Sequence, residues 1–185
     1  TLEDPVEYKL AGINQVAVNR RSGLTFAAGL RSVVRQDPDV IMLGEIRDEE
    51  TAAMAVHAAL TGHLVLSTLH TNDAIGAVYR LLDMGIADYL LAPALRGVLA
   101  QRLLRRPCRF CGERRFATAA ELQYLGRRAD ERLELVQVHG CEHCHGTGYQ
   151  GRLALHELVT VDKRMQQLLL NGADEAELLQ EARRQ

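Results

Sequence analysis

Glu45 ends the run Asp37-Pro38-Asp39-Val40-Ile41-Met42-Leu43-Gly44-Glu45-Ile46-Arg47-Asp48, in which a turn signal precedes four apolar residues and a carboxylate follows them. Such a run reads as a parallel strand covered on both faces, and in open α/β sheets ligands bind beyond the carboxyl ends of the strands. Glu45 thus stands where a substrate would stand, or is simply an exposed strand-end carboxylate. A second apolar run, His63-Leu64-Val65-Leu66-Ser67-Thr68-Leu69-His70, ends in polar residues too. If the two strands are parallel neighbours, Glu45, Ser67, Thr68 and His70 line one site. Thr1-Leu2-Glu3-Asp4-Pro5 places two more carboxylates, Glu3 and Asp4, at a strand end, as helpers of a hydrated magnesium ion or as a solvated acidic turn. A different chemistry appears in Cys108-Arg109-Phe110-Cys111-Gly112 and Cys141-Glu142-His143-Cys144-His145-Gly146, two Cys-x2-Cys knuckles with 29 residues between them. Four thiolates complete a closed tetrahedral zinc site, which is structural rather than catalytic; unliganded thiols are the alternative. His139, His143 and His145 are spare donors beside it.

The elements that must position these groups follow from caps and periodicity. Asp48 reads as an N-cap, with Glu49 and Glu50 in the first turn of a helix running to Leu60. Helices are also expected from Gly23-Leu24-Thr25 through Val34, over 74–84, over 87–104 as an amphipathic helix closing the first domain, and over 118–126 with Leu122 and Leu125 buried. An edge strand or hairpin is expected over 13–18, and further strands over 133–138 and 153–158. Two Asp-opened helices, 162–170 and 174–183, end the sequence. Arg31 and Arg35 share a helix face, pointing either at phosphates across a subunit boundary or into solvent. Arg102, Arg105, Arg106, Arg109, Arg114 and Arg115 crowd the entrance to the cysteine module. They form a basic face for anionic lipid or an acidic partner, or they pair internally with Glu113, Glu121, Asp130, Glu131 and Glu134; the pattern favours neither.

With 185 residues, 47% hydrophobic content and a formal net charge of −2, the expectation is a soluble protein with one sizeable core and a small satellite. Near-neutral charge and 4% aromatic residues argue against a zinc-dependent nucleic-acid binder. The longest apolar run, Tyr89 to Ala100, contains Pro93 and Arg96 and is too short to span a membrane. Thr1 opens without a methionine or run-in, so the sequence is expected to be cut from a longer chain.

The strand ending in Glu45 resembles the one by which P-loop NTPases present acidic residues to magnesium and the attacking water, except that Gly44 stands where most carry Asp. In their order along the chain, the blocks resemble those of the secretion ATPases, the hexameric motors of type II secretion and type IV pilus assembly. Residues 1–8 look like that family's Asp box, 37–48 its Walker B and 61–74 its His box. The paired knuckles followed by Thr147-Gly148-Tyr149-Gln150-Gly151-Arg152 look like its zinc module, most similar to the type II branch.

The resemblance implies an α/β fold: part of a RecA-like P-loop NTPase domain over 1–105, an inserted four-cysteine zinc module over 106–150 and a small helical C-terminal subdomain over 151–185. It implies Glu45 as the residue polarising water, and Glu3, Asp4, Arg47, His63 and His70 near nucleotide and magnesium, the two histidines sensing nucleotide state. It also implies structural zinc at Cys108, Cys111, Cys141 and Cys144. The implied partners are identical subunits in a hexameric ring and the cytoplasmic domain of an inner-membrane secretion protein, with the chain cytoplasmic and peripheral to the inner membrane of a Gram-negative bacterium. One departure is plain: the Walker A loop, Gly-x4-Gly-Lys-Ser/Thr, is absent from these residues. Taken alone they are therefore expected not to hydrolyse ATP. They are then better described as a zinc-stabilised docking module, while the longer chain is a type II secretion or pilus-assembly ATPase.

Overall fold

The computed structural model describes residues 1–185. Its centre is a four-stranded sheet in the order β2-β1-β3-β4, formed by β1 (Leu2–Glu3), β2 (Val16–Ala17), β3 (Val40–Leu43) and β4 (Leu64–Ser67), every pairing parallel. Parallel neighbours require crossovers: a loop over 4–15 joins β1 to β2, α1 (Phe26–Val33) leads to β3, and α2 (Glu49–Leu60) joins β3 to β4. Both of these helices start where a side chain satisfies free N–H groups. Thr25 Oγ1 accepts from Ala28 N at 3.1 Å and Asp48 Oδ1 from Thr51 N at 2.8 Å. α3 (Ala74–Asp83) opens on Asp73, which accepts from Gly76 N at 2.7 Å.

The expected helix over 87–104 is replaced by a helix and a strand. α4 (Asp88–Ala94) stops after Pro93, Leu95 turns extended with ψ 126°, and β5 (Gly97–Pro107) follows. Pro93 removes a backbone donor from the helix, and Gly97 lies so close to Val159 that a Cβ would meet its carbonyl at 3.2 Å. The partner of β5 is β8 (Tyr149–Thr160), more than 40 residues on, in a two-stranded ribbon. Between them β6 (Gly112–Phe116) pairs antiparallel with β7 (Glu134–Val138), with α5 (Ala119–Tyr124) in the connection. α6 (Lys163–Leu170) and α7 (Glu175–Ala182) end the chain, capped by Asp162 and Asp174.

The chain forms two compact units, residues 1–100 with 157–185, and residues 101–156. In the first, one core joins Leu2, Leu30, Ile41, Leu43 and Ile75 to Val159, Met165 and Leu178, so the C-terminal helices share the core of the sheet. Tyr79 Oη donates to Ala173 O at 2.9 Å, and Glu157 accepts from Ala74 N at 3.0 Å, adding a second cap to α3. β3 is not covered on both faces. Ile41 and Leu43 are buried toward α1 and α2, but Val40, Leu64 and Leu66 on the other face are half-exposed, because no element among these residues packs there. The second unit buries little: Leu122 is 2% exposed, whereas Leu125, at the end of α5, is 48% exposed and not in the core as the pattern suggested. No helix is long and apolar enough to cross a membrane.

Candidate functional site

β3 and β4 run in register, Leu43 opposite Ser67, so the chain segments beyond them leave the same edge of the sheet. Gly44 N donates to Leu2 O at 2.7 Å and Ile46 N to Thr68 O at 3.0 Å, which holds Glu45 between the ends of β1 and β4. A Cβ on Gly44 would sit 3.4 Å from Leu2 O and 3.5 Å from Glu3 Cα, ordinary contact distances, so β1 lies directly against this position. Glu45 is 9% exposed. Its Oε2 accepts from Arg47 Nε and lies 3.3 Å from His70 Nε2. The Arg47 hydrogen bond draws the Glu45 carboxyl below its ordinary range; burial opposes this, and His70 assists it. The same pairing raises Arg47, with Asp4 adding to the effect.

Glu3 stands beside this group as a second carboxylate. Thr1 Oγ1 and Gln15 Nε2 donate to its Oε1 at 2.5 and 3.0 Å and lower its carboxyl, Thr1 more strongly. Asp4 lies 3.9 Å from Arg20 Nε. Glu3, Asp4, Glu45, Thr68 and His70 all line one open cleft of about 430 Å³, with Tyr8, Gln15 and Phe26. An ionised strand-end carboxylate on an open cleft that two other carboxylates line can accept a proton from water and help hold a hydrated divalent cation.

Three expected members do not line the cleft, and one of them, Arg47, meets it only through its bond to Glu45. Ser67 is paired in the ladder and does not line the cleft. His63 stands at the opposite end of β4, where its Nδ1 lies 2.9 Å from Ala58 O and finishes α2. A nucleotide contact for His63 therefore calls for something other than this cleft. Gln15 is the residue that the sequence reading missed: its amide also donates to Tyr8 O and accepts from Leu10 N, organising the loop that forms one wall. A lone Gln in a loop carries no pattern that would reveal it. Arg31 pairs with Glu50 at 3.0 Å on the exposed face of α1.

The second candidate centre is the cysteine quartet. Sγ of Cys108 lies 3.9 Å from that of Cys141, Cys111 3.9 Å from Cys144, and Cys141 3.7 Å from Cys144. Four thiolates about 2.3 Å from a tetrahedral zinc stand about 3.8 Å apart, so the donor set fits. Cys144 Sγ accepts from the N–H groups of Cys141 and Gly148, each at 3.2 Å. Burial pushes this thiol up, but those donors and the adjoining thiols reverse it and draw it down, while burial leaves Cys141 raised. Gly148 has φ +78° and a Cβ on it would come within 2.6 Å of Val138, so only glycine brings this N–H to the sulfur. Around the centre, part of the arginine cluster is internally committed. Arg114 pairs with Glu134 and Arg115 with Glu121, while Arg105 stacks on Tyr149 and Arg109 on Phe110.

The family model described as type II/IV secretion system protein matches residues 1–185. The chain belongs to that family. Similar secretion proteins include a type II secretion system protein E from Pseudomonas aeruginosa, 53% identical over 99% of the chain and 36% of the relative. A type IV pilus assembly ATPase PilB from Thermus thermophilus is 50% identical over 100% of the chain and 21% of the relative. The chain thus spans about a third or less of the length of these curated relatives. Among solved structures, the pilus retraction motor PilT with bound ADP matches at TM-score 0.65 and 29% identity over 97% of the chain and 42% of that structure. The Legionella pneumophila ATPase DotB matches at 0.62 and 26%, over 99% and 41%. This secretion-family chain is therefore α/β with the parallel sheet of those ATPases.

Proposed function

We propose that the full-length secretion protein carrying this chain hydrolyses ATP at this cleft and couples hydrolysis to pseudopilus assembly and protein export in type II secretion. The observation that carries the reading is the convergence of Glu45, Glu3 and Asp4 on one cleft at the carboxyl ends of parallel strands. Glu45 is the carboxylate that takes a proton from the attacking water, Arg47 and His70 are its cationic neighbours, and Glu3 and Asp4 help hold hydrated magnesium. Zinc is held by Cys108, Cys111, Cys141 and Cys144 and fixes a module over 106–150. The protein works as a ring of identical subunits in the cytoplasm, docked on the cytoplasmic part of an inner-membrane secretion protein. A pilus-assembly role is the second reading, from the similarity to the Thermus pilus ATPase. Phosphate release from ATP by the full-length protein tests the proposal. Turnover that requires magnesium is expected, and no turnover in an assembled, zinc-loaded sample would overturn it.

A further inference from the structure

We propose that Thr68 is the positioning residue that aims the Glu45 carboxylate, by fastening the peptide groups on both sides of Glu45 to the end of β4. This rests on the reading of Glu45 as the water-polarising group. The ladder between β3 and β4 ends at Leu43 and Ser67, after which one chain leads into α2 and the other toward α3. Glu45 therefore lies beyond regular pairing: Arg47 and His70 hold its carboxylate, but its backbone needs another anchor. Thr68 supplies it twice. Its carbonyl accepts from Ile46 N at 3.0 Å, which holds the peptide after Glu45. Its hydroxyl donates to Gly44 O at 2.6 Å, which holds the peptide before it.

The first bond is made by backbone and asks nothing of the side chain. The second requires a hydroxyl. Gly44 makes that requirement sharper, because a glycine leaves the backbone free to turn. Gly44 N is already fixed on β1, so the Thr68 hydroxyl removes the remaining freedom, rotation of the Gly44–Glu45 peptide plane. Thr68 is exposed and lines the cleft, so burial does not explain its bond. A displacement of about 1 Å in a reacting group can cost about 100-fold in rate.

The test compares Thr68→Val, which keeps the shape and loses the hydroxyl, with Thr68→Ser, which keeps the hydroxyl, in the full-length protein with Glu45→Gln as control. Rates of phosphate release, nucleotide affinity and thermal midpoint are measured for each. Thr68→Val is expected to lower kcat about 10- to 100-fold, with affinity and midpoint near wild type, and Thr68→Ser to restore kcat to within about threefold. Thr68→Ala serves as the second hydroxyl-free variant should the valine protein fail to fold. Full kcat in a hydroxyl-free variant while Glu45→Gln is inactive would overturn the role of Thr68 and leave that of Glu45 standing. Weakened nucleotide affinity with kcat unchanged would overturn it too, since the hydroxyl would then be a ligand contact. Turnover by Glu45→Gln would remove the reading on which the proposal rests.

Discussion

Removing the metal from the cysteine quartet should unfold the second unit and leave the sheet intact. Between residues 106 and 150 the buried side chains are few: Cys108, Leu122 and Cys144 are 0%, 2% and 4% exposed, whereas Phe110 and Phe116 are each 52% exposed. Burying one leucine stabilises by roughly 1.5–3 kcal/mol. Structural zinc in small finger peptides contributes on the order of 10–16 kcal/mol of apparent binding energy. The metal term is larger by several-fold, so it decides whether this module folds. The first unit keeps its own core around Leu30, Ile41 and Ile75. Cys141→Ser removes one of four donors and leaves Cys144 without a neighbour 3.7 Å away. Elemental analysis should find one zinc per chain in the parent and a large loss in the variant. Amide exchange should rise across 107–149 while β3 and β4 stay protected. Protein purified without chelators that holds no zinc, yet protects the module from exchange, would refute this reasoning.

Arg47→Gln should move the acid limb of the pH–rate profile of the full-length protein to higher pH, measured by phosphate release. Arg47 holds the Glu45 carboxyl down and burial pushes it up, so without Arg47 the carboxyl protonates at higher pH and activity is lost sooner on acidification. Leu178→Ala should cost roughly 2–5 kcal/mol in urea unfolding, because Leu178 is 0% exposed in the core that α7 shares with the sheet. Arg31→Ala should change stability by less than about 1 kcal/mol by the same assay, since its pairing with Glu50 is exposed.

Legibility in the sequence followed the range of the interactions involved. The Glu45 strand end, its Asp48 cap and each Cys-x2-Cys knuckle rest on residues a few positions apart and lie where local pattern placed them, and the two knuckles, 29 residues apart, meet because their shared chemistry asks for one centre. The join of Glu45 to His70 needed only the parallel pairing of two adjacent strands. The segment from Gly97 is different: its apolar spacing suits a helix, and its strand state depends on β8, which no local pattern reveals. Leu125 departed from its expected burial, and His63 took its place behind α2, for a related reason. Each stands at the end of an element, where one residue decides whether a side chain turns inward, outward or back onto the helix that precedes it. Thr68 could be placed at the site but not given its work, because the Gly44 carbonyl that it holds becomes visible only with coordinates.

The most direct measurement is ATP binding and hydrolysis by the full-length protein carrying Glu45→Gln. The substitution keeps the size of the side chain and removes the proton-accepting charge, leaving the phosphate-binding groups untouched. Nucleotide affinity should stay near that of the parent while phosphate release falls about 100- to 10,000-fold, the range for a lost general base. Phosphate release at the parent's rate would contradict the assignment of the water-polarising role to Glu45.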